Sequence, residues 1–152
     1  MHERLIAKIA AGDHAAEPCD LSAVEARTLI GAKRLSPTEL VESCITRIEQ
    51  VNPAVNAVVA TCFERARAEA RAATEAVMRG DALGPLHGLP FGVKDLNDTE
   101  GLVTTYGSPL YRDHVPEKDE LLVARLRRAG AIVLGKTATP EFGAGGNTTV
   151  NP

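Results

Sequence analysis

The chain has few aromatic side chains: among 152 residues there is no tryptophan, and the two tyrosines and three phenylalanines amount to 3%. Unpaired bases need aromatic faces to stack on and a basic surface to hold their phosphates, and the formal net charge here is -3. Nucleic-acid binding is therefore not expected. Only three cysteines occur, Cys19, Cys44 and Cys62. They are widely spaced with no C-x-x-C pair, which points to neither a disulfide framework nor a zinc site and fits a reducing, cytoplasmic setting. Long apolar runs are missing too. Lys8 interrupts the one near the N-terminus, so neither a signal peptide nor a membrane span is expected, and no metal or cofactor is called for.

What remains is ordinary globular material, 44% hydrophobic and 24% charged, of a length suited to one domain. Asp20 is placed to cap a first amphipathic helix reaching about Lys33, with Leu21, Val24, Leu29 and Ile30 as its apolar positions. Ser36-Pro37-Thr38-Glu39 reads as a capping box opening a second helix, to about Gln50. Its stripe of Leu40, Val41, Cys44, Ile45 and Ile48 lies opposite Glu42, Arg47 and Glu49. After Asn52-Pro53, the valines Val55, Val58 and Val59 suggest a short strand, followed by an alanine-rich helix from about Cys62 to Arg79. The alternating charges of Arg65, Arg67, Glu69, Arg71 and Glu75 mark that helix's solvated face.

The segment Leu89-Pro90-Phe91-Gly92-Val93-Lys94-Asp95 reads as a buried strand with one lysine at its end. An ammonium walled by apolar neighbours must pair, with Asp95 the nearest carboxylate, or lose its proton and become a base. A solvated Lys94-Asp95 surface pair is the plainer alternative, and position by itself leaves both open. Further on, Asp119 is placed to cap a helix carrying Leu121, Leu122, Leu126 and Ala129. Gly130 stops it, and Ala131-Ile132-Val133-Leu134 forms another strand. Strand, helix and strand at this spacing make a βαβ crossover with parallel strands in one sheet.

Gly130-Ala131-Ile132-Val133-Leu134-Gly135-Lys136-Thr137 matches the phosphate-loop pattern G-x-x-x-x-G-K-[ST], but its context is wrong. A helix rather than a strand precedes Gly130, the interior is strand material, and Pro140 follows too soon for a helix to open at the lysine. Gly143-Ala144-Gly145-Gly146 lacks the dinucleotide spacing and reads as a flexible loop that allows close backbone approach.

Several stretches in order resemble the amidase signature family: Gly84-Pro85-Leu86-His87-Gly88-Leu89-Pro90 into Val93-Lys94-Asp95, and Gly101 through Ser108. Val123 through Ala131 and Gly135-Lys136-Thr137-Ala138-Thr139-Pro140-Glu141-Phe142 continue the series. The helices from about Leu21 to Arg79 are similar to the family's N-terminal helices. The resemblance implies an α/β fold, the N-terminal part of an α/β/α sandwich around a mixed sheet, with the sheet incomplete in this chain. Residues 1–20 would be an extension and 21–152 the N-terminal part of a single, truncated amidase domain. It also implies hydrolysis of a small-molecule carboxylic amide by a Ser-cisSer-Lys triad in which Lys94 is the lysine. Gly143, Ala144, Gly145 and Gly146 match a loop near the substrate. His87 is read as a packing residue.

The glycine-flanked double-serine segment of the family has no counterpart here. Ser22, Ser36, Ser43 and Ser108 sit in or capping helices, or in a turn, without the setting an oxyanion hole requires. The isolated chain is thus expected to be inactive: a truncated product, a partial record or a piece of a split enzyme. Two alternatives stand beside this reading. One is a non-catalytic interaction module pairing through an exposed sheet edge. The other is the amidase component of a tRNA-dependent amidotransferase.

Overall fold

The computed structural model describes residues 17–146. The expectations for the first sixteen residues and for Asn147–Pro152 lie outside them. Among the described residues four α-helices, α1 (Ala23–Gly31), α2 (Pro37–Val55), α3 (Phe63–Arg79) and α4 (Leu121–Arg128), accompany three strands, β1 (Val58–Thr61), β2 (Pro90–Lys94) and β3 (Ile132–Thr137). β3 is central, with β1 antiparallel on one side and β2 parallel on the other. The β2–α4–β3 crossover anticipated from the sequence is therefore present within a mixed sheet.

The helix starts follow capping chemistry. Ser36 accepts from the Glu39 amide while Glu39 reaches back to the Ser36 amide, the reciprocal pair anticipated for α2. α1 has a second such box, on Ser22 and Glu25. This corrects the expected cap at Asp20, which ends a short 3-10 turn, Pro18–Asp20, and faces Arg47 instead. α1 closes with Lys33 in the left-handed region, where the Arg34 amide reaches back to the Leu29 carbonyl.

Two boundaries differ from expectation. α2 runs through Pro53 to Val55, because a proline in the last turn removes only one amide and Asn56 supplies a left-handed terminus. The Asn52 side chain then joins helix to strand, exchanging two hydrogen bonds with the Val58 backbone at 2.8 and 2.9 Å. At α4 the N-cap is Glu120, not Asp119, which accepts from the Glu100 amide and pairs with Arg127.

The core has three parts. α1 packs with Leu35, Leu40, Val77 and Leu89; α2 and α3 press Val41, Ile45, Ala66 and Ala70 onto Ile132 and Leu134 of β3. On the other face of the sheet, Val93, Leu102, Val123 and Val133 gather. Not every anticipated core position is inside. Val24, Leu121 and Leu122 are exposed; α1 buries Ala26 beside the anticipated Leu29 and Ile30, and α4 buries Val123.

β3 is not evenly paired. Phe91 faces Val133 and Gly92 faces Gly135, so Leu134 is an extra residue and the strand bulges. A Cβ on Gly135 would lie 2.3 Å from the Ala60 carbonyl oxygen, which is why the position carries none. The bulge resets the alternation. Lys136, which strict alternation would send toward α2 and α3 with Ile132 and Leu134, joins Val133 on the opposite face.

Candidate active site

Lys94 ends β2 opposite Thr137, at the carboxyl end of the parallel pair, where loops from two strands leave the sheet. The backbone there is tied on both sides. The Asp95 amide donates to the Thr137 carbonyl at 3.0 Å, and the Asn97 amide to the Lys94 carbonyl at 3.0 Å.

Successive strand residues face opposite ways, and this separates Lys94 from Asp95. Asp95 turns to the side of Val93 and is 1% exposed, whereas Lys94 lies on the side of Gly92 and is exposed. The pairing of Lys94 with Asp95 and the wall of apolar neighbours are both corrected, while the solvated position of the plainer alternative is what the structure has. No hydrogen bond or ion pair reaches the Lys94 ammonium from the described residues.

The buried lysine of this region is Lys136. Its side chain is fully excluded from solvent, and its three donors meet three oxygens: the Asn97 carbonyl, Thr99 Oγ1 at 3.2 Å and Thr104 Oγ1 at 3.0 Å. Asp95 Oδ1 stands 3.8 Å away. Burial pushes the Lys136 ammonium below its ordinary range, and Asp95, Asp98, Glu120 and Asp119 oppose that. Asp95 is satisfied in turn by the Thr105 amide at 3.1 and 3.2 Å and by the Thr105 hydroxyl. This cluster was missed in the sequence. The signal was the lone lysine of Gly135-Lys136-Thr137 inside strand material, obscured by its fit to a nucleotide motif. With Lys136 closed in the core, no phosphate can reach it, and the P-loop match is a coincidence.

The glycine loop comes close to the Lys94 turn. A Cβ on Gly143 would lie 2.8 Å from Leu96 Cδ1, and the preceding Phe142, at a φ of 49°, donates its amide to the Tyr106 carbonyl. Ala144, Gly145 and Gly146 continue from there, exposed. Nearby, the Tyr106 hydroxyl bonds Asp98, which pushes the phenol up to about 12, and His114 Nε2 lies 3.6 Å from the same carboxylate.

None of the four serines is a free nucleophile. Ser22 and Ser36 are bound in capping boxes, Ser43 accepts from the Cys19 amide, and buried Ser108 donates to Glu141 at 2.7 Å. His87 lies before the opposite end of β2, its Nε2 3.0 Å from the Ala73 carbonyl oxygen. It borders a cleft of about 430 Å³ with Arg65, Glu69 and Arg127, and Lys94 is not among the residues lining it.

Lys94 thus stands at a strand end with the glycine loop folded beside its turn, and the four serines are engaged elsewhere. The amidase family matches residues 39–152. The chain belongs to the amidase signature family. It is 41% identical over 128 residues to an acylamidase of Rhodococcus erythropolis, covering 84% of this chain and 27% of that one. It is also 41% identical over 131 residues to a glutamyl-tRNA(Gln) amidotransferase subunit of Anaeromyxobacter dehalogenans, covering 86% and 27%. Among solved structures, a bacterial aryl acylamidase of the amidase signature family superimposes with a TM-score of 0.78 at 33% identity, over 84% of this chain and 27% of the other. The peptide amidase of Stenotrophomonas maltophilia gives 0.75 at 32% identity, over 81% and 26%. The chain thus spans about a quarter of the length of these relatives. Among its described residues no helix is long and apolar enough to cross a membrane.

Proposed function

We propose that this chain is the N-terminal part of an amidase domain, from about residue 21, that hydrolyses carboxylic amide C–N bonds, and that Lys94 is the general base of its Ser-cisSer-Lys triad. The observation that carries the reading is the position of Lys94: an unpaired amine at the carboxyl end of a parallel strand, beside the loop of Gly143 to Gly146, in a chain whose serines are all engaged elsewhere.

In the complete enzyme the neutral Lys94 amine takes the proton of a bridging serine, which takes that of the nucleophilic serine. The serine oxygen adds to the amide carbonyl, the C–N bond breaks, and the amine leaves with a proton returned through the same relay. Water then cleaves the acyl ester. A neutral lysine at physiological pH requires desolvation. In this chain Lys94 is exposed, so the remaining part of the domain must cover it. The backbone of Gly143, Ala144, Gly145 and Gly146 contributes to the substrate pocket. The substrate is a small-molecule amide, the setting cytoplasmic, and the chain alone hydrolyses nothing.

The test is a chimera of this chain with the downstream three-quarters of the R. erythropolis acylamidase, assayed on an acyl 4-nitroanilide. Turnover should fall by about 10²–10⁴-fold in Lys94→Ala, the range for removing a positioned base. Turnover retained in that variant refutes the assignment. Equal identity to the amidotransferase protein supports a second reading, in which the amide cleaved is that of glutamine and the ammonia released is passed on; glutamine hydrolysis by a chimera with that protein distinguishes it.

A further inference from the structure

We infer that Lys136 is a positioning residue for Lys94: its buried ammonium holds the turn that follows Lys94 and so fixes the direction in which that side chain leaves the sheet. The inference rests on the assignment of Lys94 as the base.

A lysine side chain has many rotamers, and the described residues offer the Lys94 ammonium nothing to hold. What this chain can supply is a rigid starting point, the Cα–Cβ bond. Toward β3 that bond is fixed by the ladder, through the Asp95 amide and the Thr137 carbonyl. Beyond Lys94 the chain leaves the sheet, and the turn from Lys94 to Asn97 keeps a single backbone hydrogen bond of its own. The Lys136 ammonium closes it by binding the Asn97 carbonyl from below, while Thr99 and Thr104 take its other two protons and bring in the next loop. Asp95 supplies the opposite charge and ties in Thr105.

The arrangement is specific in a way that a general stabilising pair would not need. Lys136 reaches this turn only because the bulge at Leu134 and Gly135 rotates it away from α2 and α3. A site that simply had to be filled could hold an apolar residue with no desolvation cost, and buried ion pairs are often replaced by such residues without loss. The ammonium offers three directed donors, one of them aimed at a carbonyl three residues from Lys94.

Backbone amide exchange on the 152-residue chain tests this. In Lys136→Met the Asn97 amide should exchange at least tenfold faster, and by a larger factor than the amides of Ile45, Ala66 and Ala70, which follow only the overall loss of stability. Because that variant leaves Asp95 buried without its counter-charge, Asp95→Asn/Lys136→Met is measured beside it. The double variant should recover most of the lost stability yet keep the fast exchange at Asn97, which an ion pair serving stability alone would not do. Slow exchange at Asn97 in the double variant overturns the inference, as does acceleration spread evenly over the core. In the acylamidase chimera the double variant should lower kcat by about 10–100-fold with KM within about threefold, as expected for a base displaced by a fraction of an ångström. Unchanged kcat there overturns it equally. Activity surviving in Lys94→Ala refutes the assignment of Lys94 as the base instead, and the exchange result stands apart from it.

Discussion

The ammonium of Lys136 and the carboxylate of Asp95 face each other at 3.8 Å with side chains 0% and 2% exposed, on the sheet face opposite Lys94. Removing one partner of such a pair strands the other charge in the core. Asp95→Ala should cost about 3–5 kcal/mol in urea unfolding near neutral pH. The sign of its pH dependence follows from Lys136, already held below its ordinary range by burial. Without Asp95 its folded pKa drops further while the unfolded value stays put. Between the two the unfolded chain binds more protons, so the variant should regain stability as pH rises toward 10.5. A loss that stays flat or deepens across that window contradicts the buried charge.

Much of the fold was legible because its signals are local. Ser36 and Glu39 sit three residues apart, the α2 stripe repeats at helical spacing, and Gly80 and Gly130 end their helices with a positive φ. The candidate site was drawn from motifs more than from physics. Lys94 stood out by its place at the strand end, with a buried and a solvated position both open, because neighbours along the strand do not say which side is covered. Solvent reaches it from the side that those neighbours do not occupy. Lys136 was passed over because a one-residue bulge decides which face it joins, and no periodicity reveals a bulge in advance.

The bulge makes its own prediction. Gly135→Ala places a methyl 2.3 Å from the Ala60 carbonyl oxygen, against backbone that cannot rotate away. It should cost about 1–3 kcal/mol or more, the range for overpacking, and loosen β1 as well as β3. Gly146→Ala meets nothing within 4 Å and serves as the control. Thermal unfolding of both should separate them by several degrees. Equal melting temperatures would show that the central strand absorbs the methyl, and that the bulge is not fixed by the missing Cβ.

The thiol of Cys44, between the α1 and α2 packing regions, is pushed by burial from 9.0 up to about 11. A folded value above the unfolded one means that the neutral thiol's contribution is whole below pH 9 and is lost as pH rises through 11. Cys44→Ala should therefore be less stable than the parent at pH 8 and lose less of its stability between pH 9 and 11. Parallel pH profiles for the two proteins argue against a buried thiol at this position.

The two caps separate a real helix start from an apparent one. Ser22→Ala removes the acceptor for the Glu25 amide and should destabilise by about 1 kcal/mol. Asp20→Ala should change little, since its contact with Arg47, at 3.6 Å with both side chains nearly half exposed, is an ordinary surface pair. Urea midpoints in the reverse order would return the cap to Asp20.

Lys94 itself should be dispensable to folding. Its side chain is exposed and makes no bond to the described residues, so Lys94→Met should leave the stability of this chain within about 0.5 kcal/mol. The same substitution should lower turnover in the acylamidase chimera by about 10²–10⁴-fold. The two lysines of this short stretch of sheet should then differ in kind: substitution at Lys136, buried and bonded three ways, should cost stability as well as turnover, and substitution at Lys94, exposed at the strand end, turnover alone. Combining urea unfolding of the chain with turnover of the chimera tests this division directly. If Lys94→Met unfolds the chain, its exposure here is not what leaves the amine free for chemistry, and the loss of turnover reports on folding instead.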